Sequence, residues 1–243
     1  MLRGIDISSW QEGINLRDVI MSNGLDFVVV KATEGTGCVE DTCDYWVQTC
    51  ISNGTLFGFY HFAFGGSNTP EDEATFFYEA CTGYIGHGVP VLDIEKNTIP
   101  DWGNWCQRFV DRFHALSGVY PLIYCSSSQL YRFAGTQLPQ TCGLWVAQYP
   151  YYAHGFDDIE YDDGSWPWAF VAVWQFTSQG RLEGYGYDLD LDYAYMDEEA
   201  WHKYADPEGS SAKPSDTGPI PTPVPADVHV FEDASMRVEV TLK

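Results

Sequence analysis

Short apolar runs alternate with amphipathic stretches along the first two hundred residues. Runs at 4–8, 27–32, 56–62, 89–95, 121–125, 143–148, 170–176 and 189–193 are brief, mostly rich in β-branched or aromatic residues, and separated by polar or turn-forming segments, so each predicts a strand. Between the early runs, apolar positions recur at helical spacing over 15–23, 42–53, 70–82 and 102–117. The third of these helices has a clear start, because Asn68-Thr69-Pro70-Glu71 supplies a cap residue, an early proline and first-turn acids. Later connections read as less helical, apart from a short segment at 127–133, and 149–169 reads as a long loop rich in Tyr, Asp, Gly and Trp.

Eight strands with helices between the early ones predict an α/β barrel of the TIM type with a reduced second half. A doubly wound open sheet is the alternative, but no G-x-G-x-x-G opens a helix after the first strand. The barrel is expected to occupy residues 1–206. Residues 207–227 are rich in Pro, Ser, Gly and Thr and read as a semi-extended linker. In 228–243 apolar alternation flanks Glu232-Asp233-Ala234-Ser235, the pattern of a β-hairpin. A lone hairpin is marginal in water. It is therefore expected to dock on the barrel, to pair with a second copy in self-association, or to be the stub of a truncated module.

Composition narrows the partners. The formal net charge is -23, which argues against nucleic acid and against an anionic membrane surface, since both recruit clustered Lys and Arg. No run is long enough to span a membrane. The N-terminus enters a strand almost at once and offers no signal peptide, which predicts residence in a cytoplasm until something releases the protein, or otherwise secretion without the leader shown. The seven Cys residues contain no C-x-x-C pair and fit no zinc module. Cys50, Cys81, Cys106 and Cys125 read as small core residues, while a Cys38–Cys43 disulfide stays open. No metal or cofactor is expected; Asp188, Asp190 and Asp192 lack the Gly and distal Glu of an EF-hand loop.

The chemistry concentrates at the predicted strand ends, where a TIM-type barrel carries its active site. Asp93 and Glu95 close the fourth strand on one face, with Ile94 on the other. Two neighbouring acids repel, and at least one should hold its proton more tightly; two solvated acids are the plainer alternative. The remaining ends offer Asp6, Lys31 with Glu34, Tyr60-His61-Phe62, Tyr124, Trp145 with Gln148 and Tyr149, Trp174-Gln175, and Asp190 with Asp192. A Lys closing a run of Val needs a partner. Glu34 or Asp6 is the expected one, and a contact to substrate is equally open. His61 reads as structural.

In this order the motifs become recognisable. Gly4-Ile5-Asp6-Ile7-Ser8-Ser9-Trp10-Gln11, the stretch from Phe27 to Gly35 and Gly58-Phe59-Tyr60-His61-Phe62 lead. Asp93-Ile94-Glu95, the stretch from Leu144 to Tyr149, Trp174-Gln175-Phe176 and Asp190-Leu191-Asp192 follow. The ordered set resembles glycoside hydrolase family 25, the Chalaropsis-type lysozymes, over residues 1 to about 200. The resemblance implies a flattened TIM-like (β/α)5(β)3 barrel and a 1,4-β-N-acetylmuramidase acting on bacterial peptidoglycan, with a phage or prophage endolysin as the natural setting. It implies Glu95 as proton donor, Asp93 as its neighbouring carboxylate, Asp6 in the first-strand motif and Asp190 as the acid of the last. The three Asp are expected to raise the proton affinity of Glu95 and to stabilise the oxocarbenium-like state. Tyr60, Phe62, Tyr124, Trp145, Tyr149, Trp174 and Gln175, with Lys31 and Glu34, are expected to line the sugar subsites. Whether water attacks directly or after the sugar's own acetamide stays open, as does a non-catalytic glycan-binding module.

Overall fold

A computed structural model describes residues 1–209 apart from 97, 151, 152, 158 and 162. The predicted 228–243 hairpin and most of the 207–227 linker lie outside the described residues. In chain order the elements are β1 (Leu2–Ile7), α1 (Leu16–Asn23), β2 (Phe27–Glu34), β3 (Cys38–Val39), α2 (Cys43–Asn53), β4 (Leu56–Phe62), α3 (Pro70–Ala80) and β5 (Val89–Asp93). They continue with α4 (Trp102–Ser117), β6 (Leu122–Ser126), α5 (Leu138–Thr141), β7 (Leu144–Ala147), β8 (Val173–Gly180), β9 (Leu189–Ala194) and α6 (Glu198–Ala205). The start read at residue 70 is present, with Thr69 accepting from the Asp72 N–H and Pro70 in the first turn.

Eight strands close into a barrel in the order β1-β2-β4-β5-β6-β7-β8-β9 and back to β1, and β3 folds back onto β2. Neighbours from β1 to β8 run parallel, whereas β9 is antiparallel to both β8 and β1. The barrel and its helix-poor second half follow the expectation. The direction of β9 corrects one detail, because Asp190 reaches the mouth from the start of its strand and not from its C-terminal end.

Side-chain alternation separates two apolar layers. Inward residues Phe27, Val29, Val89, Val91, Leu122, Tyr124, Trp145 and Val173 fill the barrel. Outward residues such as Ile5, Val28, Val30, Leu92, Ile123 and Val146 pack against the helices. Gly4 sits where a Cβ would come within 2.4 Å of the Phe27 ring, so only glycine lets that ring plug the lower barrel. The sequence reading missed α6. Asp197 caps it, Glu198 and Glu199 occupy its first turn, and His202 and Lys203 its last. It carries Trp201 onto Phe27, with ring centroids 4.7 Å apart, and so closes the barrel floor.

All seven cysteines are free thiols and all but Cys38 are buried, so the Cys38–Cys43 pairing is not made. No described helix is long and apolar enough to cross a membrane.

Candidate active site

The same alternation that fills the barrel with Val and Phe places polar residues in its top layer. Asp6, Lys31, Tyr60, Asp93, Tyr124, Trp145, Gln175 and Asp190 line one cavity of about 590 Å³, joined by Glu34, Phe62, Glu95 and Tyr149. On the antiparallel pair β1–β9, Asp6 stands directly opposite Asp190. Asp93 and Glu95 share the cavity while Ile94 between them is buried in the outer layer, as alternation requires. Asp192, two residues below Asp190, is fully buried and accepts a hydrogen bond from Trp145 Nε1 at 2.9 Å.

Four carboxyls gathered in a mostly buried mouth hold their protons above the ordinary range, and burial is the main cause at each. Asp6 is raised to about 6, against hydrogen bonds from Gln175 and Asp192 that favour its charge. Asp190 is raised to about 8, by burial and then by the charges of Asp6 and Glu95. Asp93 is pushed well up by burial, then by Glu95 and Asp6. Glu95 is raised by burial alone, with the Tyr124 hydroxyl pulling it back. This corrects the expected direction of influence: repulsion inside the cluster bears on Asp93, Asp6 and Asp190, because Glu95 sits at the less buried edge. Beneath them Asp192 is raised by burial and by the charges of Asp6 and Asp190, a neutral acid able to donate to Asp6.

Gln175 ties the mouth together. Its side chain is buried; Nε2 donates to Asp6 Oδ2 at 2.7 Å, and Oε1 accepts from the hydroxyls of Tyr124 at 2.8 Å and Tyr149 at 2.7 Å. One amide thus fixes an acid and two aromatic walls. Lys31 pairs with Glu34 at 2.8 Å and Glu40 at 3.3 Å, so the expected Glu34 partner is present and Glu40 stands where Asp6 was the alternative. Burial opposes the Lys31 charge, but its bonds to these acids outweigh that and raise its proton affinity. His61 is a structural residue of the outer layer: Nδ1 meets Thr33 Oγ1 at 2.7 Å and Nε2 meets Glu73 at 2.9 Å.

Trp174 departs from expectation. It neighbours the inward Gln175, so its ring points outward, packs on Phe176 and Tyr193, and donates to the Gln148 carbonyl at 2.7 Å; it does not line the cavity. Five other lining residues were not singled out: Ile7, Ser8, Trp10, Gln11 and Lys96. Ser8 and Gln11 form a capping box at the turn after β1, an S-x-x-Q signature legible in the sequence, and hold Trp10 at the lip with 90% of its surface exposed. Lys96 binds Glu34 at 2.9 Å and stacks over Phe64 at 3.9 Å; its signal was its place directly after the acid pair. Among the described residues no group of His, Cys, Asp and Glu is arranged to hold a metal ion.

Comparison with known proteins agrees with this architecture. The pattern of glycosyl hydrolases family 25 matches residues 5–185. The N,O-diacetylmuramidase of Chalaropsis sp is 32% identical over 142 residues, which span 52% of this chain and 67% of that protein. Lysozyme M1 of Streptomyces globisporus is 28% identical over 203 residues, 78% of this chain and 66% of that one. The structure of the muramidase from Trichobolus zukalii superposes with a TM-score of 0.67 at 26% identity, covering 85% of this chain and all (100%) of that chain. A closed barrel with an acid-lined mouth, matched by this family along most of its length, places the chain in glycosyl hydrolases family 25.

Proposed function

We propose that the protein is a peptidoglycan hydrolase that cleaves the β-1,4 bond from N-acetylmuramic acid to N-acetylglucosamine, with Glu95 as general acid. The observation that carries the reading is the convergence of Asp6, Asp93, Glu95 and Asp190 on one barrel mouth, in a chain similar to enzymes named muramidase and lysozyme. Cleavage needs a proton on the leaving oxygen while positive charge builds on the ring. Glu95, whose proton affinity burial raises, opens onto the cavity and so is placed to give that proton to the leaving oxygen. Asp6, Asp93 and Asp190 supply negative potential to the ring as they ionise. A glycan-binding module without chemistry would have no use for four acids held above their ordinary range.

One observation favours attack by the substrate's own 2-acetamido group. Asp93 Oδ1 is buried with no hydrogen-bond partner, which leaves it free to accept the acetamide N–H and orient it. That route retains the β configuration, and NMR of fresh product reads it; α product would point to direct attack by water. For the setting we keep a phage or prophage endolysin, supported by the Pro-rich segment that follows the barrel in the sequence. The tail at 228–243 is proposed to mediate self-association, and sedimentation of the chain with and without 207–243 tests it: an unchanged oligomeric state removes the proposal. For the activity itself, digestion of purified wall with wild type and Glu95→Gln is the test.

A further inference from the structure

A groove of about 700 Å³ lies on the flank of the barrel, between α4 and the segment that leads into α5. Asn104, Gln107 and Asp111 recur at helical spacing along its α4 side, and Arg132, Thr136 and Gln137 line it from the other segment. The two walls are fixed to each other. The Gln137 N–H donates to Gln107 Oε1 at 2.9 Å, and Gly103 lets the Arg132 carbonyl approach to 2.7 Å from where a Cβ would stand. Arg132 is partly exposed in this groove and pairs with no carboxylate among the described residues. Its guanidinium lies over the Trp102 ring at 4.4 Å with Nε enclosed, which leaves the terminal nitrogens as its donors to the groove. The acids along the groove already accept hydrogen bonds, Asp101 from the Asn104 N–H at 3.2 Å and Asp111 from Gln107 Nε2 at 2.9 Å. Trp102 in turn walls a cavity that Glu95, Tyr124 and Tyr149 share. The groove therefore begins one indole ring away from the proposed proton donor.

We infer that this groove receives the stem peptide of the wall glycan, with Arg132 binding one of its carboxylates. The inference rests on the reading of the substrate as peptidoglycan and concerns what that substrate carries beyond its sugars. The formal net charge is -23, so a carboxylate approaching the mouth meets repulsion and needs a short-range cation to hold it. The lysines of the mouth are already committed, Lys31 to Glu34 and Glu40, and Lys96 to Glu34. Arg132 is not, and stacking on Trp102 holds its planar fork ready for a bidentate bond to a carboxylate. A stem of a few residues spans about 10–18 Å when extended, enough to pass the Trp102 ring. Asn104 and Gln137, exposed on the two walls, can exchange hydrogen bonds with the peptide's own amide groups. Exposed Asp111, farther along α4, offers a counter-charge to the ammonium of a diamino acid in the stem.

The test compares soluble, uncross-linked glycan strands that carry stem peptides with the same strands after their carboxyls are converted to primary amides. The readout is the ratio of kcat/KM on the two substrates. Wild type is expected to favour the carboxylate form about 3–30-fold, chiefly through KM. Arg132→Gln is expected to bring that ratio to within about twofold of one. A purely structural role for Arg132 would slow both substrates alike and leave the ratio at its wild-type value. Because Arg132→Gln can lose its fold, Ala134→Glu at an exposed position on the groove gives a second reading. Its added charge should cut the wild-type preference about threefold or more by repulsion. A wild-type ratio near one overturns the peptide groove. So does a wild-type ratio in folded Arg132→Gln, or in Ala134→Glu where the first variant does not fold. The two failures separate: strands cleaved to muramic acid ends at equal rates sink only the peptide groove, whereas wild type that yields no such ends sinks the activity on which it rests.

Discussion

Replacing Gln175 with Leu removes three hydrogen bonds at one stroke while keeping the approximate volume of a side chain that is 3% exposed. The bond that matters most runs from Nε2 to Asp6 Oδ2 at 2.7 Å, because it favours the charged form of an acid that burial already raises to about 6. A hydrogen bond to a charged group is worth about 1.5–3 kcal/mol. One pKa unit corresponds to about 1.4 kcal/mol, so the proton affinity of Asp6 should rise by about one to two units. If the ionised Asp6 supports the transition state, the acid limb of the pH–rate profile moves upward by that amount. At a pH below the shifted limb, kcat/KM falls about 10–100-fold. The freed hydroxyls of Tyr124 and Tyr149 add to the loss by loosening both walls. The assay is release of reducing ends from soluble wall glycan across pH 4–9, with near-ultraviolet circular dichroism to confirm the fold. An acid limb at its wild-type position, with kcat/KM within about threefold, would refute the reasoning.

Two further substitutions probe the electrostatics and the loop behind the site. Asp190 is raised from 3.8 to about 8, so between these values the native state keeps a proton that the unfolded chain has lost, and stability should decline as pH rises through that window. Asp190→Asn has no proton to lose and should flatten the decline, gaining about 1–3 kcal/mol over wild type at pH 8 once solvent screening of this partly exposed group is allowed for; urea unfolding at pH 5 and pH 8 measures it, and equal slopes for both proteins would count against the burial argument. Glu73, fully buried, accepts from His61, from the backbone N–H groups of Phe64 and Gly65, and from Asn68. Glu73→Ala should cost about 3–5 kcal/mol of stability and free the 63–69 loop that carries Phe64; a cost below about 1 kcal/mol in denaturant would show the network to be dispensable.

Period and caps made most of the fold legible. Helices read at 15–23, 42–53, 70–82 and 102–117 are observed at Leu16–Asn23, Cys43–Asn53, Pro70–Ala80 and Trp102–Ser117. The misses have physical reasons. Alternation in Leu189–Ala194 is the same whichever way the strand runs, so the antiparallel course of β9 left no local trace. Helix α6 is short, at eight residues, and borders a composition change, although its Asp197 cap and charged ends were there to read. At the site, a period of two puts Trp174 on the face opposite Gln175 and could have excluded it. The Gln175 clamp could not be read locally, since its hydrogen bonds to Asp6, Tyr124 and Tyr149 join residues 169, 51 and 26 positions apart. Nor could the burial that sets the carboxyl proton affinities, which depends on barrel closure.

The central claim is that Glu95 protonates the muramyl bond, and the chemistry of the new chain ends tests it most directly. Purified peptidoglycan is digested with wild type and with Glu95→Gln, and the reducing termini are reduced and identified by mass. The account predicts N-acetylmuramic acid termini from wild type and a loss of about 10²–10⁴-fold in their rate of appearance with the variant. N-acetylglucosamine termini, or muramic acid termini that appear as fast with Glu95→Gln, would contradict it.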